Sequence, residues 1–191
     1  MNLNIKGRET LSSSWIGLKY KYIVLAPELF HLTMSDLISD GRKEIKDIVH
    51  IINKIKLDED EYLVKYRTLA QFTMFPTKDT HVIGYGNLLD YCTKDSVVIG
   101  YPGSAMLECL SNDISFFSYY NYEKYSLNPN MNKLLTQLLY ISKTKEELLD
   151  NILHKRIFRE GYSKDDLIYN DGKFLHEVVS KILSKKRPTV I

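Results

Sequence analysis

The sequence predicts an α/β chain built on one open parallel sheet of about five to six strands, with helices on both faces. Three observations lead there. Short apolar runs recur along the chain, and several are apolar throughout, as strands buried on both faces are. Helix-like segments fall between consecutive runs, the alternation that builds a parallel sheet. No internal repeat and no long Gly/Ser linker divides the chain, so residues 20–191 are expected to form one domain behind a loosely ordered segment 1–19.

The elements follow in order. "KYIVLAPE" (21–28) is an apolar run ended by proline, a first strand. In "SDGRKEIKDIVHIINKIK", Ile45, Ile48, Val49, Ile52 and Ile55 recur every three or four residues and mark an amphipathic helix. "YLVKYR" (62–67) is the second strand, with a loop after it. "THVIGYG" (80–86) is the third, and "NLLDYCTKD" a short helix. "SVVIG" (96–100) is the fourth strand, "SAMLECLSND" the next helix and "ISFFSYY" (114–120) the fifth strand. A polar, Asn-rich loop (121–132) precedes "KLLTQLLYIS", which divides into a short helix and a small strand. Thr144 and Glu147 form a T-x-x-E capping box that opens "KEELLDNILHKR". Asp171-Gly172 is a turn before a last helix, "KFLHEVVSKILSKK".

Composition narrows the function. Hydrophobic residues make up 44% and charged residues 26%, the balance of a folded globular chain rather than a disordered or fibrous one. A net charge of +2 is too near neutral to argue for a nucleic-acid partner. No apolar run approaches the roughly 18 residues of a membrane span. The stretch "MNLNIKGRETLSSSW" lacks the apolar core of a signal peptide. Cys92 and Cys109 stand alone in apolar contexts and read as reduced thiols, so a cytoplasmic chain is expected. His31, His50, His81, His154 and His176 show no metal-ligand spacing, and no metal or cofactor is expected.

The most informative stretch is "SVVIGYPGSAMLECLSND" (96–113). A buried strand ends at Gly100-Tyr101-Pro102-Gly103, and a helix starts at Gly103-Ser104. In doubly wound sheets, ligands bind beyond the carboxyl ends of the strands. The first amides of a helix have no partner inside it and carry the positive end of the helix dipole, so they suit a phosphate. Gly103 has no Cβ to hold a phosphate away, and Ser104 can cap the helix and donate its hydroxyl. The site includes the amide of Ala105. Glu108, one turn on, can accept hydrogen bonds from sugar hydroxyls. The structural alternative is an ordinary turn with a helix cap and a solvated carboxylate.

The same stretch, read as Asp, apolar strand, small polar turn and Leu-Glu helix, resembles the donor-diphosphate segment of GT-B glycosyltransferases. "YLVKYR" resembles the strand that ends in a Lys-x-His-Pro turn in that family, and "HVIGYGNLLDYCTKDSVVIG" the stretch leading to the phosphate-binding strand. "YISKTKEELLDNIL" and "YNDGKFLHEVVSKIL" resemble its closing helices. The likeness runs over residues 20–185 and is nearest to the nucleotide-binding half of bacterial surface-polysaccharide and teichoic-acid-type transferases. It implies a Rossmann-like domain that binds a nucleotide-activated sugar or polyol and contributes to polysaccharide biosynthesis. It also implies a second, acceptor-binding domain or subunit that supplies the catalytic base. Two features depart from the family: Lys65-Tyr66-Arg67 replaces the Lys-x-His-Pro turn, and Pro102 replaces a hydroxyl residue.

On this reading Lys65 or Arg67 helps Gly103, Ser104 and Ala105 to hold the diphosphate. The base and ribose lie over the ends of the third and fourth strands, near Tyr85, Gly86 and Asn87. Glu108 faces the ribose or the donor sugar, and His31, in the loop after the first strand beside Glu28, touches the sugar or a phosphate. A nucleotide-sugar epimerase of the same fold and a non-catalytic partner subunit with a degenerate site are the alternatives. The Tyr-rich "FFSYYNYEKY" is a candidate subunit contact or acceptor groove. Lys185, Lys186 and Arg187 are candidates for weak contact with the inner membrane face.

Overall fold

Strand order β3-β2-β1-β4-β5-β6, with every neighbouring pair parallel, defines the molecule. The structure is a computed structural model that describes residues 18–27, 34–57, 60–84, 86–120 and 129–168, without the side chains of 34–40 and 129–132. Along the chain run β1 (Tyr20–Leu25), α1 (Met34–Ile55), β2 (Tyr62–Tyr66), α2 (Leu69–Met74), β3 (His81–Ile83), a 3₁₀ turn (Leu88–Tyr91) and β4 (Cys92–Gly100). Then follow α3 (Ser104–Ser111), β5 (Ser115–Tyr119), α4 (Pro129–Leu138), β6 (Ile141–Ser142), α5 (Lys145–Leu153) and α6 (Lys164–Leu167). The α/β class, the open parallel sheet and the helices on both faces are as the sequence predicts. This is the strand order of a doubly wound, Rossmann-like sheet.

Strand parity sorts the core into two layers. Ile23, Leu63, Val82, Val98 and Phe116 face one side and pack on Met106, Cys109 and Leu110 of α3 and on Leu135 and Leu138 of α4. Val24, Val64, Tyr66, Ile99, Phe117 and Tyr119 face the other and meet Ile45, Ile48, Ile51 and Ile52 of α1 and Leu148 of α5. The isoleucine spacing in α1 that marks it as amphipathic is therefore the spacing of its buried stripe.

Several boundaries differ from expectation for local reasons. The polar residues Thr93, Lys94 and Asp95 belong to β4 and not to a helix: the register with β1 shifts between Tyr20 and Tyr22, a bulge in the pairing. Buried Ser96 satisfies that bulge, its Oγ accepting from the Thr93 amide at 2.7 Å and donating to the Tyr20 carbonyl at 2.7 Å. The segment after β2 is a helix, not a loop, because Thr68 and Gln71 make a capping box. The predicted loop 121–132 gives way to α4 at Pro129, a residue suited to a first helical turn. "KLLTQLLYIS" divides into α4 and β6 as expected, and the Thr144–Glu147 box caps α5. The last predicted helix and the turn at 171–172 lie outside the described residues, as do Lys185, Lys186 and Arg187.

Candidate functional site

The chain leaves β1 toward β2 and β3, then returns to β4 on the opposite side of β1 and continues to β5 and β6. The carboxyl ends of β1 and β4 are thus the topological switch point, where an open α/β sheet leaves a crevice. The turn Gly100–Gly103 stands there.

Each residue of that turn has a separate reason. Gly100 is required by close approach: a Cβ on it would lie 2.7 Å from the Cβ of Leu25 on β1. Tyr101 packs edge-on against Tyr120 just beyond β5, with ring centroids 4.5 Å apart. Burial, and then the neighbouring Tyr101, raise the Tyr120 hydroxyl above the usual tyrosine range. Pro102 is buried. Gly103, not Ser104, is the N-cap of α3, and no side chain caps the helix, which corrects the expected capping role of Ser104. Its carbonyl accepts from the Met106 and Leu107 amides at 3.1 and 3.3 Å. Among the described residues the amides of Ser104 and Ala105 have no partner, and the Ser104 side chain is exposed. Gly103 has ordinary extended angles, φ −146° and ψ −155°. The nearest atom a Cβ would meet is Tyr101 Cδ1 at 3.6 Å, so neither backbone nor packing demands glycine at this position.

Lys65 joins this end of the sheet from β2. It pairs with Leu25, and Leu25 lies one step beyond the Val24–Ile99 pair, so Lys65, Leu25 and Gly100 form the last row on the α3 face. Lys65 is half-buried, donates from Nζ to the Gly84 carbonyl at 3.3 Å, and holds Nζ 5.6 Å from the Tyr91 ring centre. Burial pulls its ammonium below the usual lysine range, while Glu108 and Asp90 act against that shift. Because β2 is an interior strand, Lys65 does not end an edge strand in solvent. Lys65 and Glu108 are brought within electrostatic reach of each other, one from the sheet and one from α3.

Other sequence-predicted residues fall elsewhere. Tyr66 is 0% exposed on the α1 face and donates to the Phe75 carbonyl at 2.7 Å. Arg67 is exposed at the end of β2, its amide bound to Gln71 Oε1 at 2.6 Å. Asn87 caps the 3₁₀ turn, accepting from the Leu89 amide, while its own amide donates to Asp90. Gly86 sits at φ +96°, a turn conformation that favours glycine. A base spanning the ends of β3 and β4 is corrected by the strand order: β2 and β1 lie between them, roughly 14 Å at about 4.8 Å per strand. His31, Glu28 and Tyr85 lie outside the described residues.

Sequence reasoning missed Gln71. Its buried amide accepts from the Arg67 and Thr68 amides and donates to the Pro27 carbonyl at 3.1 Å, tying the β2–α2 turn to the end of β1. The signal was available: T-x-x-Q at 68–71 has the form of the T-x-x-E box at 144–147. Among the described residues no group of three His, Cys, Asp or Glu side chains is placed to hold a metal ion, and no helix is long and apolar enough to cross a membrane. Comparison with models of known protein families, with curated proteins and with solved structures finds no match to this chain.

Proposed function

We propose that the chain binds a nucleotide-activated donor in the crevice between the ends of β1 and β4, as the donor half of a glycosyltransferase or glycerophosphate-type transferase of bacterial surface-polysaccharide synthesis, in the cytoplasm. One observation carries this reading: the uncapped start of α3 stands at the switch point of a Rossmann-like sheet, with its first two amides unpartnered among the described residues. Those amides and the helix dipole offer partial positive charge to a diphosphate. Lys65 adds a full charge from the same face of the sheet, and Glu108 offers an acceptor for a sugar hydroxyl. Transfer would displace the nucleotide at the donor carbon. A base from a second domain or subunit would take the acceptor proton, and the amides and Lys65 would stabilise the departing diphosphate.

Thermal melts with UDP, CDP, CMP and GDP test this. A ligand at 100 times its dissociation constant adds about 2.7 kcal/mol, or roughly 5–10 °C for a chain of this size. At least one nucleotide should move the midpoint, and Lys65→Met should reduce the shift. If none acts at millimolar concentration, the donor-binding reading fails. Tyr66 favours a second reading. It holds the position of the family's phosphate-contacting histidine, yet it is sealed on the opposite face. A non-catalytic partner subunit with a degenerate crevice would show that null result.

A further inference from the structure

A second concave site lies on the other side of the molecule, independent of the crevice. It is an open cleft of about 650 Å³ between α1 and the α2–β3 connection, a volume within the common range for small-molecule sites. Its walls carry Arg42, Lys46 and His50 from α1 and Lys78 from the connection. The three α1 residues recur every four positions, so they form one stripe along the helix. Arg42 and Lys46 are like charges at that spacing and oppose helix formation. Among the described residues, Lys46 and Lys78 have no carboxylate within ion-pair distance.

The cleft is positioned, not merely cationic. Arg42 Nε donates to the Met74 carbonyl at 3.2 Å, which anchors the guanidinium at the end of α2 and spends none of its terminal nitrogens on that bond. Phe75 seals the floor with Ile45. The Phe75 ring, just past α2, packs against α1 where Gly41 has no side chain, and a Cβ on Gly41 would lie 2.4 Å from Phe75 Cε1. Asp79 is the acid in the lining, and its carboxylate is already engaged by the Thr77 hydroxyl and by Tyr62. Asn53 and Thr77 add neutral hydrogen-bonding groups.

We infer that this cleft binds a ligand bearing two phosphate groups, the arginine gripping one of them through paired N–H donors and the lysines acting as point charges on the other. The ligand is either a soluble diphosphate compound or the headgroup of an anionic lipid. Inorganic pyrophosphate is titrated into the full isotope-labelled chain and followed by amide NMR. Phosphatidylcholine vesicles with and without cardiolipin are tested by co-sedimentation. Saturable shifts confined to residues 42–50 and 76–79 are expected, together with at least a tenfold weakening in Lys46→Gln/Lys78→Gln. Both substituted residues are exposed, and the variant's unchanged amide spectrum outside the cleft would verify its fold. Pyrophosphate binding without cardiolipin-dependent sedimentation assigns the soluble source; sedimentation that the double variant abolishes assigns the headgroup. No saturable shift and no sedimentation, shifts only around Ser104 and Ala105, or undiminished binding by the double variant would each overturn the inference. Shifts around Ser104 alone would still support the crevice, so the two sites fail separately.

Discussion

Gln71→Met tests whether the end of β1 is fastened to the β2–α2 turn as described. Gln71 is 2% exposed, and its amide makes three hydrogen bonds: from the Arg67 amide at 2.6 Å, from the Thr68 amide at 3.2 Å, and to the Pro27 carbonyl at 3.1 Å. Methionine has nearly the same length and helix propensity, so the substitution removes these bonds and little else. Arg67 and Thr68 are exposed, so water can take over their amides and each loss falls at the low end, about 0.5 kcal/mol. Pro27 is buried, and its orphaned carbonyl should cost about 1–3 kcal/mol. The sum is about 3 kcal/mol, or roughly 6–12 °C in Tm for a chain of this size. Urea unfolding measures it, with an unchanged m-value expected. A loss under about 1 kcal/mol would refute the reasoning, because it would mean that Gln71 does not fasten β1 to the β2–α2 turn.

Two further outcomes follow from packing and burial. Gly41→Ala should destabilise by about 1–3 kcal/mol despite alanine's better helix propensity, since the new methyl meets Phe75 at 2.4 Å and Phe75 is 1% exposed; differential scanning calorimetry reads the sign, and a stabilised variant would contradict it. Burial pushes the thiols of Cys92 up to about 11 and Cys109 up to about 12 from 9.0. Folded values raised in this way give stability that is fully present below the unfolded value and lost as pH rises from there through the folded values. Urea unfolding should therefore show up to about 1 kcal/mol lost per thiol by about pH 10, a loss absent from Cys92→Ala/Cys109→Ala, and thiol-reactive dye should label neither cysteine until the chain unfolds.

The fold was legible because its signals are local and repeated. The isoleucine stripe of α1, the apolar runs of β1, β2 and β4, and the box at Thr144 each declare their element within a few residues. What escaped depends on partners distant in the chain. Thr93-Lys94-Asp95 reads as the end of a short helix until Tyr20, 76 residues from Ser96, supplies the carbonyl that completes the bulge. Gln71 looks like a surface glutamine until Pro27, 44 residues away, accepts its amide proton. Arg42, Lys46 and His50 of α1 line a cleft only because Phe75 and Lys78, from a later part of the chain, stand across from them. The strand order, which separates the ends of β3 and β4, is not written in any local pattern.

Strand parity then decides which basic residue can serve the crevice. Successive side chains of β2 alternate between faces: Leu63 and Lys65 toward α3, Val64 and Tyr66 toward α1. A contact position one residue along would place its side chain under α1, where the Tyr66 ring in fact lies edge-on to Phe72 with its hydroxyl spent on Phe75. No rotamer brings that side chain across the sheet, so a charge placed at position 66 would not face the crevice. Lys65 has the right parity and stands in the same row as Leu25 and Gly100, and its ammonium is held toward β3 by the Gly84 carbonyl. That bond is long at 3.3 Å and neutral on the acceptor side. A phosphate oxygen would be the stronger partner for the ammonium. The Lys65–Gly84 contact is thus the one a diphosphate at the start of α3 would have to outcompete.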